Sequence, residues 1–446
     1  MTMNIGDLFS SMTGQGITQA LDKLVQAYAD QGRFNGAVLV ARGGAVLLRK
    51  GYGVADRHSG ASFTPQTPSR LASLTKPFTA IAILQLVEQG RLRLDEFLNR
   101  YYPYYPQAGR ITLHHLLSNT SGIPDYIAMP AYTDRASQPM TLAEVMAFFN
   151  DLPLQFEPGR EFGYSNSNWA LLTGILEQVT GKPYAEVIRQ QVFAPAWMSH
   201  SGYDWTGSPV AGRAEGIINT GVALIDSEPI HESNLLGAGG LYSTLDDLYG
   251  WSHALLQGKL LKPETLQHMR QPITGTAARG YGYGLELHAP FGHASIGHSG
   301  GFPGYVSNYA HFDDGDLTLI ILSNLGSAAW ESIHHGLTAI LYDQPYALPG
   351  VREFVTVEPA LLQAYAGDYD LTFMGRRFVT QFGVADDRLT MTIKGLPTAV
   401  LAPLAIDRFF GHSKGEVEIT FRRGADGVVT GADFKWGEYD LTAPRM

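Results

Sequence analysis

What most restricts the fold of this chain is a change in the period of its apolar residues around Tyr346-Ala347-Leu348-Pro349-Gly350. Before that point helical and strand-like patterns are mixed, and after it only strand-like ones remain. Val417, Ile419 and Phe421 alternate with Glu418 and Thr420, and Asp426-Gly427 supplies a turn before Val428 and Val429. The stretches Arg377 to Phe382 and Leu389 to Ile393 read as similar strands. A period of two separates the side chains onto two faces of a sheet, so the tail is expected to be a small antiparallel barrel or sandwich. At 446 residues the chain exceeds what one core usually organises, which agrees with two domains, 1–345 and 350–446.

Within the first part, Ile17, Leu21, Leu24, Val25 and Tyr28 share one helical face. Strands follow at Gly36 to Ala41 and Ala45 to Arg49, joined by a Gly43-Gly44 hairpin turn. Pro77 to Gln89 is a mostly apolar helix, and Gly90 suits its left-handed C-terminal cap. Further on, Thr141-x-x-Glu144 forms a capping box, and Asn166 to Val179 carries an apolar helical stripe ending at Gly181. Ser199 to Gly240 is rich in Gly, Ser and Asn and predicts loops packed on a scaffold. Strands are then expected at Tyr281 to His288, Tyr305 to Phe312 and Leu317 to Ser323, and a helix at Ala328 to Leu341.

A net charge of −10 without any Lys/Arg cluster speaks against nucleic acid as a partner. No stretch reaches the ~18 apolar residues that span a bilayer, so no membrane partner is expected either. The absence of cysteine removes disulfides, thiolate metal sites and a cysteine nucleophile. Met1 to Gly16 lacks the basic start and apolar segment of a secretory signal, which predicts a cytoplasmic protein.

Three short patterns carry chemistry. Ser73-Leu74-Thr75-Lys76 opens the apolar helix. A serine there sits beside unpaired backbone N–H groups and the positive end of the helix dipole, and a lysine three residues on returns to the same face. Tyr164-Ser165-Asn166 lies on the loop entering the next long helix, and His298-Ser299-Gly300-Gly301 lies on a strand-like stretch. Taken singly, each pattern also fits a plain structural role: a capping Ser with a solvated Lys, a Tyr packed at a helix start, a tight turn. Their order along the chain, each on the element its chemistry needs, favours function.

With these motifs the sequence resembles the penicillin-binding protein and serine β-lactamase superfamily, in its class C β-lactamase, D-aminopeptidase and family VIII esterase branch. Leu113 to Gly122, Gly181-Lys182-Pro183-Tyr184 and Gly237-Ala238-Gly239-Gly240-Leu241 resemble spacer motifs of these proteins. The resemblance implies an α/β (α+β) domain, an antiparallel sheet flanked by helices with a helical subdomain inserted at about 70–203, followed by a lipocalin-like β domain. It implies Ser73 as the acyl-forming nucleophile, with Lys76 and Tyr164 as a joint base, since unperturbed pKa values of about 10.4 and 10 suit neither group alone. The backbone N–H groups of Ser73 and Gly301 would form the oxyanion hole. Asn166, His298, Ser299, Gly300 and Phe302 would contact substrate, with His298 near Tyr164.

One departure bears on substrate. Relatives acting on penicillins or D-Ala-D-Ala stems usually carry lysine where this chain has His298, and a largely neutral histidine attracts a carboxylate less. Asn119, where relatives often have histidine, is a lesser departure. Aromatic residues from Tyr101 to Tyr105, with Tyr126, Trp169, Phe302 and Tyr305, are candidates for an acyl pocket wall or for ordinary packing. The expected activity is hydrolysis of carboxylic esters or small amides, with a D-aminopeptidase, a weak β-lactamase or a non-hydrolysing penicillin sensor as alternatives. Small-molecule esters, amides or short peptides are the expected partners, no metal or organic cofactor is implied, and the oligomeric state stays open.

Two rival patterns exist. Gly297-His298-Ser299-Gly300-Gly301 satisfies G-x-S-x-G, with His334 and His335 downstream, but no helix pattern follows the serine as that nucleophile elbow requires. The pairs His114-His115 and His334-His335 do not project to one face, and no His-Glu-x-x-His exists.

Overall fold

Runs of apolar residues that are buried on both sides build the centre of the molecule. The computed structural model describes residues 14–204, 210–219, 224–350, 354–373, 376–393, 398–412, 416–436 and 439–446. Eight strands form one antiparallel sheet: β1 (Gly36–Arg42), β2 (Ala45–Tyr52), β3 (Thr274–Thr276), β4 (Arg279–Tyr281), β5 (Glu286–His288), β6 (Ser295–Phe302), β7 (Tyr305–Phe312) and β8 (Leu317–Ser323). Their spatial order is β2-β1-β8-β7-β6-β5-β4-β3. Every residue of β7 and β8 is buried, so alternate side chains feed two cores. Leu39, Ile320 and Leu322 face the helical subdomain. Val38, Val40, Leu319 and Ile321 pack beneath the outer helices α1 (Gly14–Asp30) and α5 (Trp330–Leu341).

Between β2 and β3 the chain supplies α2 (Lys76–Glu88), α3 (Asn166–Thr180) and α4 (Leu245–Leu256). α2 is apolar all round and buried over nearly its whole length, as a helix must be when it runs through a core. The expected caps are present. Thr141 and Glu144 bond reciprocally, and Gly90 and Gly181 adopt φ of 69° and 71° at the ends of α2 and α3. Gly43 and Gly44 both have positive φ, the geometry of a hairpin turn whose twist matches its strands.

One expectation needs correction. Tyr281 to His288 is not one strand but a hairpin, in which Glu286 pairs with Tyr281 and the chain reverses through Gly282, Tyr283, Gly284 and Leu285. Gly284, at φ 69°, lies against Trp169 and the Lys76 carbonyl, where a Cβ would meet atoms at 2.8 and 3.1 Å. The stretch Ser199 to Gly240, expected as loops, falls partly outside the described residues.

The tail is an eight-stranded antiparallel meander, β9 (Gly367–Phe373), β10 (Arg376–Ala385), β11 (Arg388–Ile393), β12 (Ala399–Ala405), β13 (Arg408–His412), β14 (Glu416–Arg423), β15 (Val429–Trp436) and β16 (Tyr439–Pro444). It is nearly closed into a barrel. Tyr369 bridges to Arg445, and the Met446 N–H donates to the Asp368 carbonyl at 2.9 Å. Its interior is packed with the rings of Tyr365, Tyr369, Phe382, Phe409, Phe421 and Phe434. The barrel touches the first part through an Arg33–Glu416 ion pair and through Arg279, which donates to the Tyr439 hydroxyl at 2.6 Å.

Among the described residues no helix is long and apolar enough to cross a membrane. Nor is any group of three His, Asp or Glu side chains among them arranged to hold a metal ion.

Candidate active site

Ser73 stands on a single 3-10 turn, Ala72–Thr75, that runs directly into α2. The α-helix thus starts at Lys76, one residue before the Pro77 that the sequence marks. Ala72 occupies the left-handed region at φ 46°, a conformation costing ~1–3 kcal/mol without glycine. Neighbours hold it there: the Leu71 N–H donates to the Leu241 carbonyl at 2.9 Å, and the Leu71 carbonyl accepts from the Ser307 hydroxyl at 2.6 Å.

Lys76 has no exposed surface. Its Nζ lies 2.9 Å from Ser73 Oγ, 2.8 Å from Asn166 Oδ1 and 2.9 Å from the Ala238 carbonyl. Burial lowers its pKa to about 7, against the charges of Asp125 and Glu286, which pull it upward. Asp125 sets which end of the Asn166 amide faces the lysine, because its carboxylate accepts from Asn166 Nδ2 at 3.1 and 3.2 Å and from the Asn166 backbone N–H at 3.1 Å. With Nδ2 so engaged, Oδ1 is left to Lys76.

Tyr164 reaches the same point from the loop before α3, its ring centroid 4.8 Å from Lys76 Nζ. Burial pushes its hydroxyl well above the ordinary range, and the Ser73 side chain pulls the other way. Tyr164 keeps 37% of its surface open, whereas Lys76 is fully covered. Asn119, at φ 55°, braces this loop, since its carbonyl accepts from the Gly163 N–H at 2.9 Å and its Oδ1 from Asn168 Nδ2 at 3.0 Å. That is the use of the Leu113 to Gly122 segment here.

β6 forms the opposite wall. Its Gly300 lies so close to the serine turn that a Cβ would sit 2.2 Å from the Leu71 carbonyl oxygen and 2.9 Å from Ser73 N. Ser299 N–H points away from β7 and donates to Glu286 Oε2 at 3.0 Å. In an antiparallel ladder such outward amides recur every second residue, which puts the Gly301 N–H on the same outward side.

His298 is buried behind Tyr164, with ring centroids 6.2 Å apart. Its Nδ1 lies 2.6 Å from the Ser299 carbonyl, which can only accept, so Nδ1 carries a proton and Nε2 faces the Tyr281 hydroxyl at 3.1 Å. Burial lowers its pKa, with Glu286 opposing. The side chain is thus satisfied within the protein. Ser299 Oγ likewise donates to Glu286 at 3.2 Å. Phe302 is half-buried under the Arg70 guanidinium.

For four of the aromatic candidates, packing is the observed role. Tyr105, Tyr126, Trp169 and Tyr305 are buried core side chains, and Tyr104 is fully in solvent. The two histidines offered for the rival elbow have partners other than Ser299, whose hydroxyl is held by Glu286. His334 pairs with Asn308 at 2.8 Å and His335 packs on Phe291.

A family model described as Beta-lactamase matches residues 21–338. The chain belongs to the beta-lactamase family. Among its relatives in this family, penicillin-binding protein 4* of Bacillus subtilis (strain 168) is 29% identical over 428 residues, covering 91% of this chain and 94% of that one. The D-amino acid amidase from Ochrobactrum anthropi SV3, solved with L-phenylalanine, superposes with a TM-score of 0.66 at 25% identity over 73% of this chain and 98% of that one. An octameric penicillin-binding protein homologue from Pyrococcus abyssi shares the fold over 96% of this chain and 99% of that one, at TM-score 0.65 and 23% identity. The protein thus has the fold of the serine hydrolases that include penicillin-binding proteins and D-amino acid amidases.

Sequence reasoning missed Asp125, Tyr281 and Glu286. Asp125 follows Gly122-Ile123-Pro124 with nothing local to mark it. Glu286, a lone carboxylate between Leu285 and Leu287 in a strand, was the one readable signal.

Proposed function

We propose that this protein hydrolyses carboxylic esters or small amides through an acyl-enzyme on Ser73. The observation that carries the reading is the 2.9 Å approach of a fully buried Lys76 Nζ to Ser73 Oγ. With its pKa near 7, Lys76 is neutral in a large fraction of molecules at neutral pH. Its two remaining N–H bonds then go to Asn166 Oδ1 and the Ala238 carbonyl, and its lone pair faces the serine hydroxyl. Ser73 Oγ attacks the acyl carbon as its proton passes to Nζ. The oxyanion is met by the Ser73 and Gly301 N–H groups, a contribution of ~100- to 1,000-fold per donor. The leaving alcohol or amine takes its proton from Lys76 by way of the Tyr164 hydroxyl, and water repeats the sequence to release the acid.

The substrate preference is supported by His298, which gives a substrate carboxylate no fixed cation, and by the likeness to an enzyme named D-amino acid amidase. In this reading residues 1–345 carry the chemistry and 350–446 flank them. The test is a turnover panel of short-chain p-nitrophenyl esters, D-amino acid anilides and a chromogenic cephalosporin on wild type and Ser73→Ala. Ester or anilide turnover lost with Ser73 is expected. A cephalosporin rate far above both overturns the preference, and a one-equivalent burst with no steady rate marks a protein that is acylated without turnover.

A further inference from the structure

We infer that Glu286 is a positioning residue that completes the edge of β6 and so aims the Gly301 N–H into the cleft. The inference rests on the acyl-enzyme reading above. β5 pairs with β6 only as far as Glu286 opposite Gly297, because the chain turns away through Gly282 to Leu285. Beyond Gly297 β6 has no further pairing with β5 among the described residues. The Glu286 side chain takes over where its backbone stops: Oε2 accepts from the Ser299 N–H at 3.0 Å and Oε1 from the Ser299 hydroxyl at 3.2 Å. A carboxylate thereby stands in for one missing ladder bond, and the next outward amide, two residues on, is that of Gly301. Were Ser299 N–H unheld, the strand end could twist and the Gly301 donor would lose its aim, while Gly300 would lose its seat on the serine turn.

Burial pushes the Glu286 carboxyl upward, but His298, the exposed His288 and the Ser299 amide outweigh it and hold it down near 2, so it is an acceptor throughout the working pH range.

Two substitutions separate reach from charge. Glu286→Gln keeps the length, with its carbonyl oxygen for the Ser299 N–H and its NH2 for the Ser299 hydroxyl. Glu286→Asp keeps the charge but falls one methylene short. Stopped-flow acylation of the full chain by p-nitrophenyl butyrate should be ~10- to 100-fold slower in Glu286→Asp, at nearly unchanged KM, and largely restored in Glu286→Gln. Phenylboronic acid, which forms a tetrahedral adduct on an active serine, should weaken in parallel. Wild-type rates in Glu286→Asp, or a Glu286→Gln as slow as Glu286→Asp, overturn the inference. Mass spectrometry of the wild-type adduct tells the two levels apart, since an adduct absent from Ser73 defeats the acyl-enzyme reading itself.

Discussion

Gly300 and Ser73 touch backbone to backbone, with room for a hydrogen but not for a methyl between the Gly300 α-carbon and the Ser73 amide nitrogen. The contact joins the strand carrying one proposed oxyanion donor to the turn carrying the other. Both facing groups are backbone, so neither can rotate away from an added side chain.

Gly300→Ala is therefore expected to lower kcat/KM more than 100-fold and to destabilise the fold by ~1–3 kcal/mol, as overpacking does. Steady-state kinetics and urea denaturation measure the two effects. Unchanged values of both would show that the strand and turn can part freely.

The proton inventory predicts a pH profile. If neutral Lys76 is the base, kcat/KM rises with pH through an inflection near 7 and levels above it. A profile flat from pH 5 to 9 would remove Lys76 from that role.

The same lysine affects stability, with a definite sign. Unfolded, it keeps its proton up to its ordinary 10.5, whereas folded it releases it near 7. Between those values the unfolded chain holds the extra proton, so stability rises with pH, by at most ~1.4 kcal/mol per unit from this group. The stability difference between wild type and Lys76→Met should thus grow in favour of wild type from pH 7 to 10. A pH-independent difference would mean that Lys76 titrates alike in both states.

Asp125→Asn tests the orientation of Asn166. The variant loses the carboxylate that fixes the Asn166 amide and the charge that holds Lys76 upward. The expected result is a ~10- to 100-fold loss of kcat at its optimum, with the acid limb displaced below that of wild type. A loss without displacement would leave Asp125 a purely geometric part.

Much of this was legible in the chain because it is local. The apolar period marked β1, β7 and β8, whose alternate residues feed two cores, and glycine positions marked the ends of α2 and α3. The break in period inside Tyr281 to His288 was not legible, because Gly282 and Gly284 sit within a strand-like composition and only the packing of Gly284 on Trp169 requires the reversal. For Tyr105, Tyr126, Trp169 and Tyr305 the sequence left wall and core both open for a related reason: an aromatic side chain suits a pocket wall and a core equally, and burial alone separates them.

By itself the sequence determined most types of element and the order of the three motifs, since spacing along a helix or strand follows from bond geometry, and its family resemblance singled out Ser73, Lys76 and Tyr164 as candidates. Only the tertiary structure decided that Lys76 is sealed from water, that Asp125 turns Asn166 toward it, that His298 faces Tyr281 and that Glu286 finishes an edge strand. Those are contacts between residues 13 to 90 positions apart, and the desolvation and hydrogen bonding that set a pKa act through space rather than along the chain.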